Sequence, residues 1–147
     1  MTENIKPLFL IDSNVLVYAY DKTDEKKHET AFNLMKKCWG QKVQYAISVQ
    51  NLAEFMVIIT KKVPQPLPIE TAQEIINDII EHSGWKVLHY DEKILKDALM
   101  LYRITQKHFW DTMIAATMLE SKVFHIYTEN VKDFKEYKHI TVVNPFD

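Results

Sequence analysis

Short apolar segments that alternate with helix-like segments are the feature that most constrains the fold of this chain. The first, residues 7–11, is a continuous apolar run that ends at Asp12, which is typical of a strand buried on both faces of a parallel sheet. Strand character returns at residues 45–47, 85–90, 124–127 and 140–143. The alternation predicts an α/β fold whose mostly parallel sheet is covered by helices on both faces and joined by right-handed crossovers.

Capping and stop signals predict the helices between these strands. We expect helices after Asp12, over residues 24–39, after Ser48, from Pro68 to about residue 82, from Asp91 to about residue 107, and over residues 112–121. The last of them follows Asp111 and is apolar nearly all round. A helix of that kind lies inside a protein.

Glycine and cysteine are too scarce for several common functional motifs. The 147 residues contain two glycines, Gly40 and Gly84, so neither a GxGxxG fingerprint nor a GxxxxGK[ST] phosphate loop can be written. The one cysteine, Cys38, has no partner for a disulfide and is better suited to packing than to nucleophilic chemistry. No apolar run approaches the roughly 20 residues that cross a membrane. We expect a single cytoplasmic domain spanning residues 1–147.

Net charge argues at first against binding of nucleic acid by bulk positive charge. Lysine and arginine total 18 and the acids total 20, for a net charge of −2. If several acids were gathered at one metal site, the remaining surface would carry a small positive balance. Lysine pairs at residues 26–27, 36–37 and 61–62 would then be available to a nucleic acid, or would be ordinary solvated helix faces.

Four acids lie where the predicted strands end or where the next helix begins. Asp12 ends the first strand, Glu54 lies in the helix after the second, Asp111 begins the buried helix, and Asp133 follows the fourth strand. In open parallel sheets the functional crevice lies beyond the carboxyl ends of the strands. The four carboxylates could therefore meet in one place.

Each of these acids also has a simpler interpretation. Glu54 stands among apolar residues with no cation three or four positions away, so it is exposed, protonated or compensated by another element. Asp12 and Asp111 suit helix N-caps, each worth about 1 kcal/mol. Asp133 suits a surface loop.

Converging carboxylates without an arginine cluster would repel one another unless a hard cation lay among them. Mg²⁺ or Mn²⁺ with oxygen ligands is the natural choice. Such an ion polarises a phosphoryl oxygen and lowers the pKa of a bound water. The six histidines form no HExxH spacing, which disfavours zinc.

Four segments resemble, in order, the motifs of PIN-domain proteins. They are residues 10–16 around Asp12, 51–55 around Glu54, 109–116 around Asp111 and 127–134 around Asp133. The chain is similar in size and element order to the VapC-like toxin ribonucleases of bacterial toxin–antitoxin pairs. The resemblance spans nearly the whole chain and implies a three-layer α/β/α fold and metal-dependent hydrolysis of RNA phosphodiesters.

The resemblance also implies which residues form the site. Asp12, Glu54 and Asp111 match the metal-binding acids of the family, and Asn14 and Thr128 match polar residues that members place beside them.

One position departs from the commonest pattern. Many members carry an acid where this chain has Asn130, whereas others have Asn there and an Asp three residues later, as Asp133 is here. If Asp133 did not reach the site, three acids would remain, which would favour one ion over two.

These observations lead to the hypothesis of an endoribonuclease that uses Mg²⁺ or Mn²⁺. Asp12, Glu54 and Asp111 would hold the metal and Asp133 would assist. The residues expected to orient an attacking water or a ligand carboxylate by hydrogen bonds are Ser13, Asn14, Thr128 and Asn130. The resemblance further implies a cognate antitoxin and a homodimer. Single-stranded RNA could stack on Trp110 or Phe134, although core packing is the favoured interpretation of both rings.

Two alternatives stay open on the sequence. A phosphatase of the haloacid dehalogenase type also places an Asp after its first strand, but it normally has a second Asp two residues later, where this chain has Asn14. A non-catalytic module could keep the fold for binding RNA or protein. Such a module would tolerate Asp12→Asn and Asp111→Asn without loss of function.

Overall fold

A parallel sheet forms the centre of the molecule in the computed structural model, which describes residues 6–147. Its strands are β1 (Phe9–Ile11), β2 (Tyr45–Ser48), β3 (Trp85–Leu88), β4 (His125–Tyr127) and β5 (Thr141–Val143). The strand order is β3-β2-β1-β4-β5, and each of these neighbouring pairs is parallel. Leu10 of β1 lies opposite Ala46 of β2 and Ile126 of β4. The first strand of the chain is therefore the central one.

Helices connect the strands of the described chain. They are α1 (Ser13–Tyr20), α2 (Glu25–Trp39), α3 (Val49–Lys61), α4 (Ile69–Glu81), α5 (Glu92–Thr105), α6 (Phe109–Glu120) and the short α7 (Val131–Phe134). Most begin at the caps that the sequence predicts. Asp24, Ser48 and Asp91 each accept a hydrogen bond from a backbone N–H in the first turn of the helix that follows.

The helices cover the sheet in two layers, one on each face. Ile11 and Ile47 pack against α1 to α4, whereas Leu10, Ala46 and Ile126 pack against α6 and the segment that includes α7. Alternate residues of each strand face opposite layers because successive side chains of a strand point to opposite faces. The three-layer α/β/α architecture expected from the sequence is confirmed.

The α6 helix lies inside the protein, as its composition predicts. Residues 112–118 are all buried, and α5 covers the outer side of α6 through Ile94 and Ala98. None of the helices within residues 6–147 is long and apolar enough to span a membrane.

Several elements differ from the sequence-based expectation, and β1 begins at Phe9, two residues late. The α6 helix begins at Phe109, so Asp111 is its third residue and not its N-cap. The backbone N–H of Thr112 bonds to the carbonyl of His108 at 3.0 Å, which closes the first turn without any side-chain cap. The α7 helix was not expected, because four residues are too short to show a 3.6-residue period. The third strand ends at Leu88, two residues early.

Cys38 is a packing residue, as expected. Its thiol is buried and donates a hydrogen bond to the backbone carbonyl of Gly84 at 3.3 Å. A Cβ atom at Gly84 would lie 2.8 Å from the backbone oxygen of Cys38. The close approach of α2 to the start of β3 therefore requires glycine at this position.

We expect Leu10→Ala to lower the free energy of unfolding by about 2–5 kcal/mol, because Leu10 is fully buried in the central strand and its truncation leaves a cavity in the core. Leu99→Ala is the matched control, since Leu99 is 50% exposed on α5, and it should change stability by about 0.5 kcal/mol or less. Urea unfolding of the two variants measures both values. Equal losses would contradict the assignment of β1 to the centre of the core.

Candidate active site

The carboxyl end of the central strand opens a crevice at the point where the strand order reverses. The chain leaves β1 toward β2 and β3 and later returns to β4 on the other side of β1. Connections that diverge in this way create a binding crevice beyond the strand ends. Asp12 directly follows β1 and Thr128 directly follows β4, so both lie at this crevice.

The Asp12 carboxylate is buried, only 3% exposed, and accepts five hydrogen bonds. Its Oδ1 accepts from the backbone N–H of Ser13 at 2.8 Å, from the Ser13 hydroxyl at 3.3 Å and from Asn51 Nδ2 at 3.2 Å. Its Oδ2 accepts from the Thr128 hydroxyl at 2.7 Å and from Asn14 Nδ2 at 3.3 Å. Burial raises the pKa of Asp12, and the hydrogen bonds, led by that of Thr128, oppose the rise without cancelling it. Asp12 is also the N-cap residue of α1, so its predicted role as a helix cap is confirmed.

Asn51 is a member of this network that the sequence analysis missed. Its backbone N–H donates to Ser48 Oγ at 3.0 Å, and its Oδ1 accepts from the backbone N–H of Ser48 at 3.1 Å and from the Ser48 hydroxyl at 2.7 Å. This capping box fixes the amide so that Nδ2 is left for Asp12. The available signal was a Ser followed three residues later by Asn at the end of a predicted strand.

The loop after β4 contributes the other half of the network. Thr128 Oγ1 accepts from Asn14 Nδ2 at 3.3 Å and from the backbone N–H of Asn130 at 3.0 Å. Asn14 Oδ1 in turn accepts from the backbone N–H of Glu129 at 3.2 Å. The side chains of Asn14 and Thr128 are therefore brought to Asp12, whereas Asn130 is exposed and enters through its backbone alone.

Glu54 is half-buried and is held by Gln50 from one turn earlier in α3. Gln50 Nε2 donates to Glu54 Oε1 at 3.2 Å and to the backbone carbonyl of Trp110 at 2.9 Å, which ties α3 to α6. Burial raises the pKa of Glu54, the negative charge of Asp12 raises it further, and the bond from Gln50 lowers it. No cation of the described chain forms an ion pair with Glu54. The role of Gln50 was not foreseen.

Asp111 shows most directly that the acids face one another. Its side chain is half-buried in the first turn of α6, and its pKa is raised to about 7. Burial is the largest cause, followed by the negative charges of Asp12 and Asp133, with a smaller contribution from Glu54. The negative charges of Asp12, Asp133 and Glu54 therefore all raise the pKa of Asp111.

Asp133 reaches this neighbourhood because α7 turns the chain back after β4. Its side chain is about three-quarters buried, and the nearest basic atom, Nε2 of the exposed His108, lies 4.0 Å from its Oδ1. The surface-loop interpretation of Asp133 is replaced by a position on a short helix beside Asp111.

The acids are close enough to repel one another but do not form a finished ligand set. No three His, Cys, Asp or Glu side chains within residues 6–147 are grouped closely enough to hold a metal ion. The raised pKa of Asp111 shows that the charges nonetheless interact.

The two aromatic residues considered for RNA stacking have opposite environments. Phe134 is fully buried in the core, as expected. Trp110 is 59% exposed, so the expectation that it packs in the core is wrong. Its backbone is anchored by Gln50 while its ring lines a groove of about 470 Å³ between α3 and α6, which also includes Glu54.

The chain belongs to the PIN-domain family, which matches residues 9–140. This match agrees with the order of the four acidic motifs and with the parallel sheet. No curated protein shows significant sequence similarity to the chain.

Solved structures of toxin–antitoxin proteins share this fold. The sarcin–ricin loop-cleaving toxin VapC20 of Mycobacterium tuberculosis is 18% identical with a TM-score of 0.66, and the alignment covers 90% of this chain and 96% of VapC20. A chain of a toxin–antitoxin complex from Klebsiella pneumoniae is 20% identical with a TM-score of 0.62, covering 93% and 97%. A chain of VapBC2 from Rickettsia felis, bound to promoter DNA, is 18% identical with a TM-score of 0.63, covering 93% and 98%.

We expect Asp111→Asn to stabilise the metal-free protein at about pH 8 and to have progressively less effect toward about pH 4. Asp111 has a folded-state pKa of about 7, above its ordinary value of 3.8. The stability that neutral Asp111 contributes is therefore fully present below pH 3.8 and is lost as the pH rises through 7. Urea unfolding in EDTA across this range measures the effect. Glu74→Gln, which changes an exposed residue of α4, is the control and should change the free energy of unfolding little. A wild-type protein as stable as the variant at the higher pH would contradict the prediction.

We expect Asn51→Ala to lower the free energy of unfolding by about 1–3 kcal/mol, because it removes the acceptor of the Ser48 backbone N–H in the capping box and one donor to the buried Asp12 carboxylate. Thermal or urea unfolding measures this loss. Asn33→Ala on the exposed face of α2 is the matched control and should cost about 0.5 kcal/mol or less. If the two variants were equally stable, the Asn51 amide would not support the site.

Proposed function

We propose that this protein is a metal-dependent endoribonuclease and the toxin of a toxin–antitoxin pair. The observation that carries the proposal is that Asp12, Asp133 and Glu54 lie near enough to Asp111 for their negative charges, together with burial, to raise its pKa to about 7. Among the described residues, none of Asp12, Glu54 or Asp111 forms an ion pair with a basic side chain. Uncompensated negative charge of this kind favours a bound cation.

Family membership supports the same activity. PIN domains are in general nucleases of the hydrolase class and depend on divalent metals. This membership, together with the absence of an Asp at the position of Asn14, argues against the phosphatase alternative. RNA is the proposed substrate because the structurally similar VapC20 is described as cleaving the sarcin–ricin loop.

The donor chemistry of the site suits Mg²⁺ or Mn²⁺. Asp12, Glu54 and Asp111 are the proposed ligands and Asp133 the proposed assistant, and all four offer the oxygen donors that hard cations prefer. These side chains would have to draw together, since they are not grouped as a ligand set in residues 6–147. When bound, the ion would polarise a phosphoryl oxygen and acidify the attacking water.

The remaining side chains hold these carboxylates in place. Five donors fix both oxygens of Asp12, so its carboxylate cannot rotate freely. Gln50 holds one oxygen of Glu54 and leaves Oε2 available. Ser13, Asn14 and Thr128 are therefore proposed to act by orienting Asp12, while Asn51 and Gln50 extend this role to α3.

The partners of the proposed toxin follow from its structural neighbours. The Klebsiella pneumoniae structure is described as a toxin–antitoxin complex and that from Rickettsia felis as VapBC2. We propose that a cognate antitoxin inhibits this protein and that the protein forms a homodimer. Cytoplasmic location is part of the proposal, because the RNA substrate is found there.

We expect the purified protein to cleave RNA at discrete positions with Mg²⁺ or Mn²⁺ and to be inactive in chelator. Loss of a supporting hydrogen bond at a metal site typically reduces activity by roughly 10- to 100-fold, and Gln50→Ala should reduce the cleavage rate by an amount in this range. Asp12→Asn removes a proposed metal ligand and should reduce the cleavage rate by more than this. A panel of total RNA, transfer RNA and ribosomal fragments measures the rates. Titration of Mn²⁺ into each variant measures metal affinity separately.

Glu74→Gln is the matched control, because it removes an exposed carboxylate of α4 and should retain full activity. Circular dichroism checks that each variant is folded. Folded, antitoxin-free wild-type protein that cleaves none of these RNAs with either metal would overturn the proposal. Unchanged RNA binding by Asp12→Asn and Asp111→Asn would then favour the non-catalytic binding module.

A further inference from the structure

We infer that the groove between α3 and α6 binds an unpaired nucleobase of the RNA substrate, with Trp110 as the surface on which the base stacks. The inference rests on the proposed ribonuclease function and adds a substrate contact to it. The groove is bordered by Glu54, one of the four acids, so a base bound there would lie next to the proposed cleavage site.

Trp110 presents its ring to solvent from a rigidly held backbone. The residue directly precedes Asp111, and its carbonyl accepts the hydrogen bond from Gln50 at 2.9 Å. The indole is 59% exposed, although large aromatic side chains are usually mostly buried. Phe109 packs against the indole at 5.5 Å between ring centroids, with the two ring planes inclined by 72°. An exposed, fixed aromatic face is what base stacking requires.

The opposite wall of the groove is apolar and includes a second aromatic residue. Val49 and Val57 on α3 are each 47% exposed, and Tyr90, just beyond β3, is 43% exposed. The volume of about 470 Å³ lies within the 300–1,000 Å³ typical of small-ligand sites. Aliphatic side chains and two aromatic rings can enclose a flat base.

Charge at the two sides of the groove suits a nucleic-acid strand. Glu54 connects the groove to the acids, which would repel phosphate unless a cation were bound between them. Lys62 also lines the groove and forms no ion pair with any described residue. A strand whose scissile phosphate lies at the acids can place the neighbouring base against Trp110 and a further phosphate near Lys62.

The test is RNA binding measured without cleavage, in an Asp12→Asn background with Mg²⁺ present. The probes are a short single-stranded RNA of mixed sequence and an abasic oligonucleotide of equal length and charge. Trp110→Ala should weaken RNA binding by about 5- to 150-fold, as expected for loss of one stacked base, and Trp110→Phe should restore part of it. The abasic oligonucleotide should bind the unmutated groove weakly and should be insensitive to Trp110→Ala.

Tryptophan fluorescence provides a second readout. The other two tryptophans are Trp39, which is partly buried, and Trp85, which is nearly buried. Quenching by RNA that is lost in Trp110→Phe therefore reports contact with Trp110. Phe32→Ala, which removes an exposed ring from α2, is the matched control and should leave RNA binding unchanged. Circular dichroism confirms that the variants are folded.

Equal affinity of Trp110→Ala for RNA, equal binding of the abasic probe, or no RNA binding at all would overturn the inference. Unchanged RNA affinity together with altered self-association of Trp110→Ala would assign the groove to a second copy of the chain instead. The proposed function is tested by a different result. If RNA binds through Trp110 but the wild-type protein never cleaves it, the nuclease proposal is refuted and the base-binding site stands.

Discussion

The hydrogen bonding of one buried carboxylate organises the crevice. Asp12 stands at the end of the central strand, where an unpaired charge would cost several kcal/mol. Donors from α1, from α3 and from the residue after β4 satisfy both of its oxygens. The three segments that line the crevice therefore depend on a shared acceptor. Their positions are coupled because removing any one donor leaves a buried charge less well compensated.

The same arrangement creates an electrostatic cost that the rest of the fold must offset. Asp111, Glu54 and Asp133 approach Asp12 without a basic partner closer than the 4.0 Å between His108 and Asp133. The raised pKa of Asp111 is the consequence. Stability comes instead from the buried residues of the strands and from α6, whose first turn carries Asp111 and whose next seven residues are buried. Sites that work against the stability of the fold are characteristic of function.

Sequence reasoning was most successful where a signal is local. The caps Ser48 and Asp91, the apolar run before Asp12 and the composition of α6 each depend on neighbouring residues. It was less successful where distant segments decide the outcome. Trp110 looked like a core residue because nothing in its own segment reveals that α5 and α3 leave its ring uncovered. Asn51 was not identified as a site residue, because only the strand order brings Asp12 within reach of its amide.

The order and chemical nature of the four acids follow from the sequence alone, because strand and helix signals place Asp12 directly after the first strand and the other three acids in or beside later helices. Family membership follows from the same ordered segments. Only the tertiary structure decided which of these residues interact. Asp12, Glu54, Asp111 and Asp133 come from four separate parts of the chain, and the parallel sheet brings them together by placing β1 between β2 and β4. The burial of each acid and the charge repulsion at the crevice depend on contributions from all of these distant segments. No local sequence pattern can therefore predict them.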